Sequence, residues 1–274
     1  MKVKLDAAGG AGFSQITLSA HDLVSHPQGV DSAIELVKAS GLRVAAFQAA
    51  CDFEGASGPL HAYKLDVVKS LLGLCQALQC HLLVLPSSTR CTTDGSSQSL
   101  VHDLRQLAML AIPLNIKIAY QGWAGAAMVK DYLQAWELIC EADMPNLGLC
   151  LDLCEMLVAG TPLDDLAADL DMLDPDRLFL VQLADLLGST TPLLQVFAGE
   201  GAQRDTLAAL VCTLHALGYR GNYSLSARNA DYAQLAPRHV AQRAQTAALW
   251  LGQDVLQRSV PLPNQLRLRR SQGH

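Results

Sequence analysis

Apolar residues along this chain gather in seven short runs, QITLS, LRVAAFQ, HLLVLPS, IKIAYQ, LGLCLD, RLFLVQLA and NYSLSA, each nearly continuous rather than alternating. Runs of that length and composition suit parallel strands covered on both faces. Between them the apolar positions fall three and four apart, as in Leu65, Val68, Leu72, Cys75 and Leu78, or Leu207, Leu210, Leu214 and Leu217. That period lays one apolar stripe along each helix, to be buried against a sheet. The repeat of strand and helix, roughly 30 to 35 residues long, is that of βα units around a single parallel sheet and predicts an α/β barrel.

Punctuation along the chain agrees with this register. Gly41, Gly218 and Gly221 mark helix-to-strand turns, and Asp31 and Asp205 are expected as helix N-caps. Ahead of QITLS, the segment KLDAAGGAGF reads as a short helix and turn, so the first strand of an eight-stranded barrel is lacking. Seven staves leave two edges with unpaired backbone groups, a liability that a partner, a swapped segment or a tail would cover, the partner case being a homo-oligomer joined through the open barrel edge. With no Pro/Ser-rich linker, residues 1–258 are expected to form one domain, and the basic tail 259–274 to be disordered. Two less regular segments, 49 to 60 and 184 to 202, follow strands at the C-terminal face, where barrel enzymes keep functional loops.

Composition narrows the partners. Half of the 274 residues are hydrophobic, ample for a large core, and 20 Lys and Arg stand against 26 Asp and Glu, for a formal charge of −6. Such a chain offers no electrostatic footprint to nucleic acid. No apolar run approaches the ~18 residues of a bilayer span, and the start lacks a basic region followed by an apolar stretch. A soluble, cytoplasmic protein without a membrane partner is expected. The eight cysteines, Cys51, Cys75, Cys80, Cys91, Cys140, Cys150, Cys154 and Cys212, contain no C-x-x-C pair. They are expected as free thiols packed as small hydrophobes, with Cys154 and Glu155 the one pair beside a pocket. His61, His102, His215 and His239 fall on predicted helices and are expected at the surface.

Candidate chemistry lies where four neighbouring runs end: Gln121 in IKIAYQ, Asp152 in LGLCLD, Gln182 in RLFLVQ and Ser226 in NYSLSA. If the runs are staves of one barrel, these ends converge on one pocket. A hard divalent cation wants several anionic oxygens, and only one of the four positions is a carboxylate.

The strings GLRVAAFQAACDFEG, NLGLCLDLCEM, FLVQLADL, FAGEG and GYRGNYSLSARNADY, in that order and spacing, resemble the sugar phosphate isomerase/epimerase superfamily, and within it the bacterial 3-dehydroshikimate dehydratase branch. The resemblance spans roughly residues 4 to 252 and implies a TIM barrel of the xylose isomerase-like type. It also implies a divalent metal (Mg, Mn or Co) and dehydration of 3-dehydroshikimate to protocatechuate. In that family the metal is held by a Glu, an Asp, a Gln and a second Glu on successive strand ends. Asp152 and Gln182 match the Asp and the Gln, whereas Gln121 and Ser226 stand where the two Glu residues belong. A site reduced from three carboxylates to one predicts weak metal binding or none. The residues implied to meet substrate thin out in the same way. Gln48 and the DFEG string with Asp52 and Glu54 are kept, as are Asp185 and Glu200, but Cys51 replaces an Arg, Glu155 a His, and Ala127 and Met128 an Arg-His pair.

Each kept residue also has a structural reading. Asp152 can bind loop amides, Gln182 can satisfy strand-end backbone groups, and DFEG can be a turn with Gly55 at positive φ and Asp52 as cap. His21 and Asp22 end the first run as a candidate acid/base pair. The losses fall on functional positions while scaffold signatures persist. They favour a diverged dehydratase-like barrel without the ancestral lyase activity, binding a polyhydroxylated acid or sugar or serving assembly, with no cofactor. The alternative is an active metal-dependent dehydratase or isomerase/epimerase whose rewired site joins Glu155 to Asp152, Gln182 and Gln121.

Overall fold

The computed structural model describes residues 1–90, 96–158, 163–188 and 194–258. Nine strands are present among them: β1 (Gln15–Ser19), β2 (Arg43–Gln48), β3 (Leu82–Pro86), β4 (Lys117–Gln121), β5 (Leu147–Asp152), β6 (Leu178–Leu183), β7 (Asp185–Leu187), β8 (Leu194–Val196) and β9 (Asn222–Leu225). Seven form one parallel sheet in the order β1-β2-β3-β4-β5-β6-β9, and β7 and β8 make a separate antiparallel pair. Every one of the seven apolar runs is thus a stave, and the short pair falls in the irregular segment after β6.

The helices lie between the staves: α1 (Lys2–Gly10), α2 (Ala20–Val24), α3 (Val30–Ala39), α4 (Gly58–Ala77), α5 (Ser97–Ala111) and α6 (Tyr132–Ala142) in the first half. The second half adds α7 (Leu153–Val158), α8 (Leu163–Asp171), α9 (Arg204–Leu217) and α10 (Pro237–Leu249), the last continued by a π-helical turn over Trp250–Val255. Val68, Leu72, Cys75 and Leu78 are buried as the stripe on α4 requires, and so are Leu207, Leu210 and Leu214 on α9. The expected caps differ. Gly29 and Gln203 hold the cap positions, which puts Asp31 and Asp205 inside the first turn, where a carboxylate favours the helix dipole instead. The tail 259–274 lies outside the described residues.

Alternation across the staves divides the core in two. Ala46, Leu82, Val84, Ala119, Cys150 and Leu180 form the layer inside the barrel, with Phe179 packed on it. Phe47, Leu83, Leu85, Ile118, Leu149, Leu151 and Val181 belong to the larger core shared with the helices. Below the inner layer, at the N-terminal mouth, Arg43, Lys117 and Arg220 line a cavity of 1210 Å³. There the Lys117 ammonium sits 4.5 Å above the Phe179 ring.

No backbone ladder joins β1 to β9, so the sheet has a seam. One side-chain hydrogen bond crosses it, Thr17 Oγ1 to Ser224 Oγ at 3.0 Å. On the outside α1 packs against α10, and Gln245 Nε2 donates to the Ala11 carbonyl at 2.8 Å. Gln15 Oε1 and Tyr223 Oη, on the two edge strands, are buried without a hydrogen-bond partner.

Candidate functional site

The C-terminal ends of the staves meet as the apolar runs predict. Register pairs Asp152 of β5 with Gln182 of β6, and Gln121 closes β4. All three are buried, with Gln121 only 1% and Asp152 8% exposed. Gln121 Nε2 points at Asp152 Oδ2 from 3.4 Å, and Gln182 Nε2 donates to Gln48 Oε1 at 3.3 Å. Ser226 lies one residue beyond β9, exposed, its amide bonded to the Leu183 carbonyl. Asp152 also opens α7: its Oδ1 accepts from the amides of Cys154 and Glu155 at 3.0 and 3.3 Å.

The dominant cation at these strand ends is a residue that sequence reasoning passed over. Arg228 places one guanidinium nitrogen 3.2 Å from Asp152 Oδ2 and the other 3.3 Å from Glu155 Oε1, so one cation bridges two carboxylates. Its backbone is set by the hairpin, since the Arg228 amide donates to Gln195 Oε1 at 2.8 Å and Asn229 Nδ2 to the Gln195 carbonyl at 3.0 Å. The only signal in the sequence was a lone arginine three residues past the end of a strand. Burial pushes the Asp152 carboxyl up from 3.8 to about 6; Arg228 pulls against that rise, and the Glu155 charge adds to it. Burial, with the Asp152 charge behind it, likewise pushes the Cys154 thiol up to about 12, leaving it protonated and inert as a nucleophile.

The other expected site residues are largely engaged by the scaffold. The Asp185 carboxylate is fully buried and accepts four backbone amides, from Leu186 (2.7 Å), Gln203 (2.9 Å), Gly201 (2.9 Å) and Gly199 (3.2 Å), folding the FAGEG turn around itself. A side chain at position 201 would lie 2.4 Å from Asp185 Oδ1, so the turn requires glycine there. Glu200 pairs with Arg243 at 2.8 Å. In the DFEG loop Asp52 accepts from the Thr89 amide at 2.8 Å and Gly55 takes φ 81°. Burial works against the charge on Asp52, but the Thr89 bonds with Lys64 and Arg90 outweigh it and lower its pKa. Glu54 is buried, held by Tyr120 Oη (2.9 Å) and the Ser88 amide, and burial raises its pKa. Asp22 is committed to a capping box with Ser19, leaving His21 exposed beside it. His61 is not a surface residue: it is half-buried, bonded to Gln106 at 2.9 Å and 3.7 Å from the buried Asp103.

A divalent cation does not fit this donor set. Asp152 is the single carboxylate at a strand end, and both its oxygens are met by N–H donors, Oδ1 by two amides and Oδ2 by Gln121 and Arg228. Among the described residues no group of three or more His, Cys, Asp and Glu is placed to hold a metal ion. One acceptor is left over, Gln121 Oε1, which is buried without a partner.

Comparison with known proteins places this geometry. A family model described as xylose isomerase-like TIM barrel matches residues 5–253. Among curated proteins, 3-dehydroshikimate dehydratase of Pseudomonas aeruginosa is 30% identical over 94% of this chain and 41% of its own length. The protein of that name from Pseudomonas putida is 29% identical over 90% of the chain and 39% of its own. The chain therefore spans about two fifths of the length of these relatives. Of solved structures, a xylose isomerase-like TIM barrel/4-hydroxyphenylpyruvate dioxygenase fusion protein superposes with a TM-score of 0.82 at 26% identity, over 99% of this chain and 42% of that one. The IOLI protein, solved with a zinc atom, gives 0.77 at 20% identity over 93% and 94%, a likeness of fold alone.

Proposed function

The chain belongs to the xylose isomerase-like TIM barrel family, and we propose that it is a diverged dehydratase-like member that binds a small polyhydroxylated acid or sugar without metal-dependent lyase chemistry. One observation carries this reading: Asp152, the only strand-end carboxylate, has its oxygens engaged by N–H donors. Elimination of water from an anionic substrate needs a base for the proton, an acid or Lewis acid for the leaving hydroxyl, and cations for the carboxylate. Asp152 and Glu155 are tied to Arg228, and Arg228 is already neutralised by them. The described cysteines are all free thiols, which supports a reducing compartment such as the cytoplasm. Among the described residues no helix is long and apolar enough to cross a membrane.

A second reading keeps the enzyme. It is supported by the 30% identity to a protein named 3-dehydroshikimate dehydratase and by Asp152 itself, whose carboxyl at about 6 is poised for proton transfer near neutral pH. Incubating purified protein with 3-dehydroshikimate and Mg²⁺ or Mn²⁺, and following protocatechuate by absorbance, separates the two. No product above background is expected; metal-dependent product overturns the proposal.

A further inference from the structure

We infer that the cavity at the N-terminal mouth of the barrel is a binding site for a small anion carrying two or more negative charges. It lies at the opposite end of the staves from Gln121, Asp152 and Gln182, and does not depend on the reading above.

Charge at this mouth runs against that of the chain. Four of the 20 Lys and Arg residues, Lys38, Arg43, Lys117 and Arg220, line the cavity, against Asp176 alone of the 26 Asp and Glu. A chain with a formal charge of −6 has acids to spare for such cations, yet only Lys38 is paired, with Glu35 at 3.1 Å. Arg43, Lys117 and Arg220 take part in none of the ion pairs among the described residues. The three reach the cavity from separate parts of its rim. Arg43 opens β2, Lys117 opens β4 and Arg220 stands two residues before β9, so they belong to the second, fourth and seventh staves in sheet order. Two of them are held in place. The Lys117 ammonium rests over the Phe179 ring, and one guanidinium nitrogen of Arg220 donates to the carbonyls of His215 and Tyr219 at 2.7 and 2.8 Å, which leaves its other two nitrogens for a ligand.

The walls sharpen this field. Val44, Leu82 and Leu178 are buried apolar lining residues, and like charges around a concavity with low-dielectric walls concentrate the potential that draws an anion in. One ion with several charges offsets the mutual repulsion of all three cations, which a monovalent ion cannot do. Guanidinium edges match the paired oxygens of phosphate and carboxylate groups. At 1210 Å³ the cavity has room for a molecule of metabolite size.

Calorimetric titrations of the full chain in low-salt buffer, with pyrophosphate, citrate and acetate as probes, test this. Pyrophosphate or citrate binds saturably at one site per chain, the tighter of the two telling a phosphorylated ligand from a polycarboxylate, and acetate binds at least about tenfold more weakly. Arg43→Ala and Lys117→Ala, each checked for folding by circular dichroism, weaken the polyanion by roughly tenfold or more. Because they sit on different staves, either one carries the test if the other fails to fold. Lys69→Ala, which removes an equal charge from an exposed position on α4, changes the affinity by less than about twofold. No saturable binding of either polyanion up to roughly 5 mM, acetate binding as tightly, unchanged affinity in a folded mouth variant, or an equal loss from Lys69→Ala would each overturn the inference.

Discussion

Taking a carboxylate out of water favours its neutral form, and Asp152 is a measurable instance because one residue carries both the burial and the ion pair. Its carboxyl is neutral in the folded and unfolded chain alike below about pH 4. Through the folded value of about 6 the native protein must ionise a buried acid while the unfolded chain has long since done so. The folded state binds more protons in that window, so stability falls as pH rises from 4 to 6, by about 3 kcal/mol at most, at roughly 1.4 kcal/mol per pH unit. Urea unfolding of wild type and Asp152→Asn across pH 4 to 7 should show the wild type losing ground to the variant by that amount; a constant difference would refute the assignment. At this scale the sequence was readable only in part. Asp152, Gln121 and Gln182 could be placed because strand ends follow from the apolar runs. Arg228 could not, since it reaches the pocket from a loop whose path is fixed by contacts to Gln195, far away in sequence.

Among the elements, the β7–β8 pair owes its seat to one side chain. Asp185 supplies the acceptors for four amides of its own strand and the turn that follows β8, and through Gln195 that strand pair in turn sets Arg228. Replacing Asp185 by Ala strands those amides, with a cost of about 3 kcal/mol or more, read as a lower urea midpoint; loss of less than about 1 kcal/mol would mean that water serves the turn equally well. The family resemblance placed Asp185 near substrate; nothing in its sequence neighbours reveals that backbone folds around it. The barrel strands were legible for the opposite reason, since parallel staves buried on both faces announce themselves as unbroken apolar runs. Three-residue strands do not. Nor does the start of a helix resolve to one position, which is why Asp31 and Asp205 fall a residue or two inside the caps.

For the molecule as a whole, the number of staves and the gap between first and last were both legible in the spacing of the runs. The means of bridging the gap was not, because the side-chain bond across it joins two small hydroxyls that alternation alone does not single out, and the outer contact joins α1 to α10. Thr17→Val combined with Ser224→Ala should lower stability by about 1 kcal/mol, the net worth of one such bond, with the fold retained by circular dichroism; an unchanged urea midpoint would show that the helices outside hold the edges by themselves. A barrel of this kind is less a closed pipe than a cuff, its edges held among the described residues by one hydroxyl pair and by the packing of α1 on α10 outside. Deuterium should therefore enter the backbone of residues 15–19 and 222–225 sooner than that of the five strands between them, which have ladders on both sides. Whatever opens the lumen from the side will begin along that line.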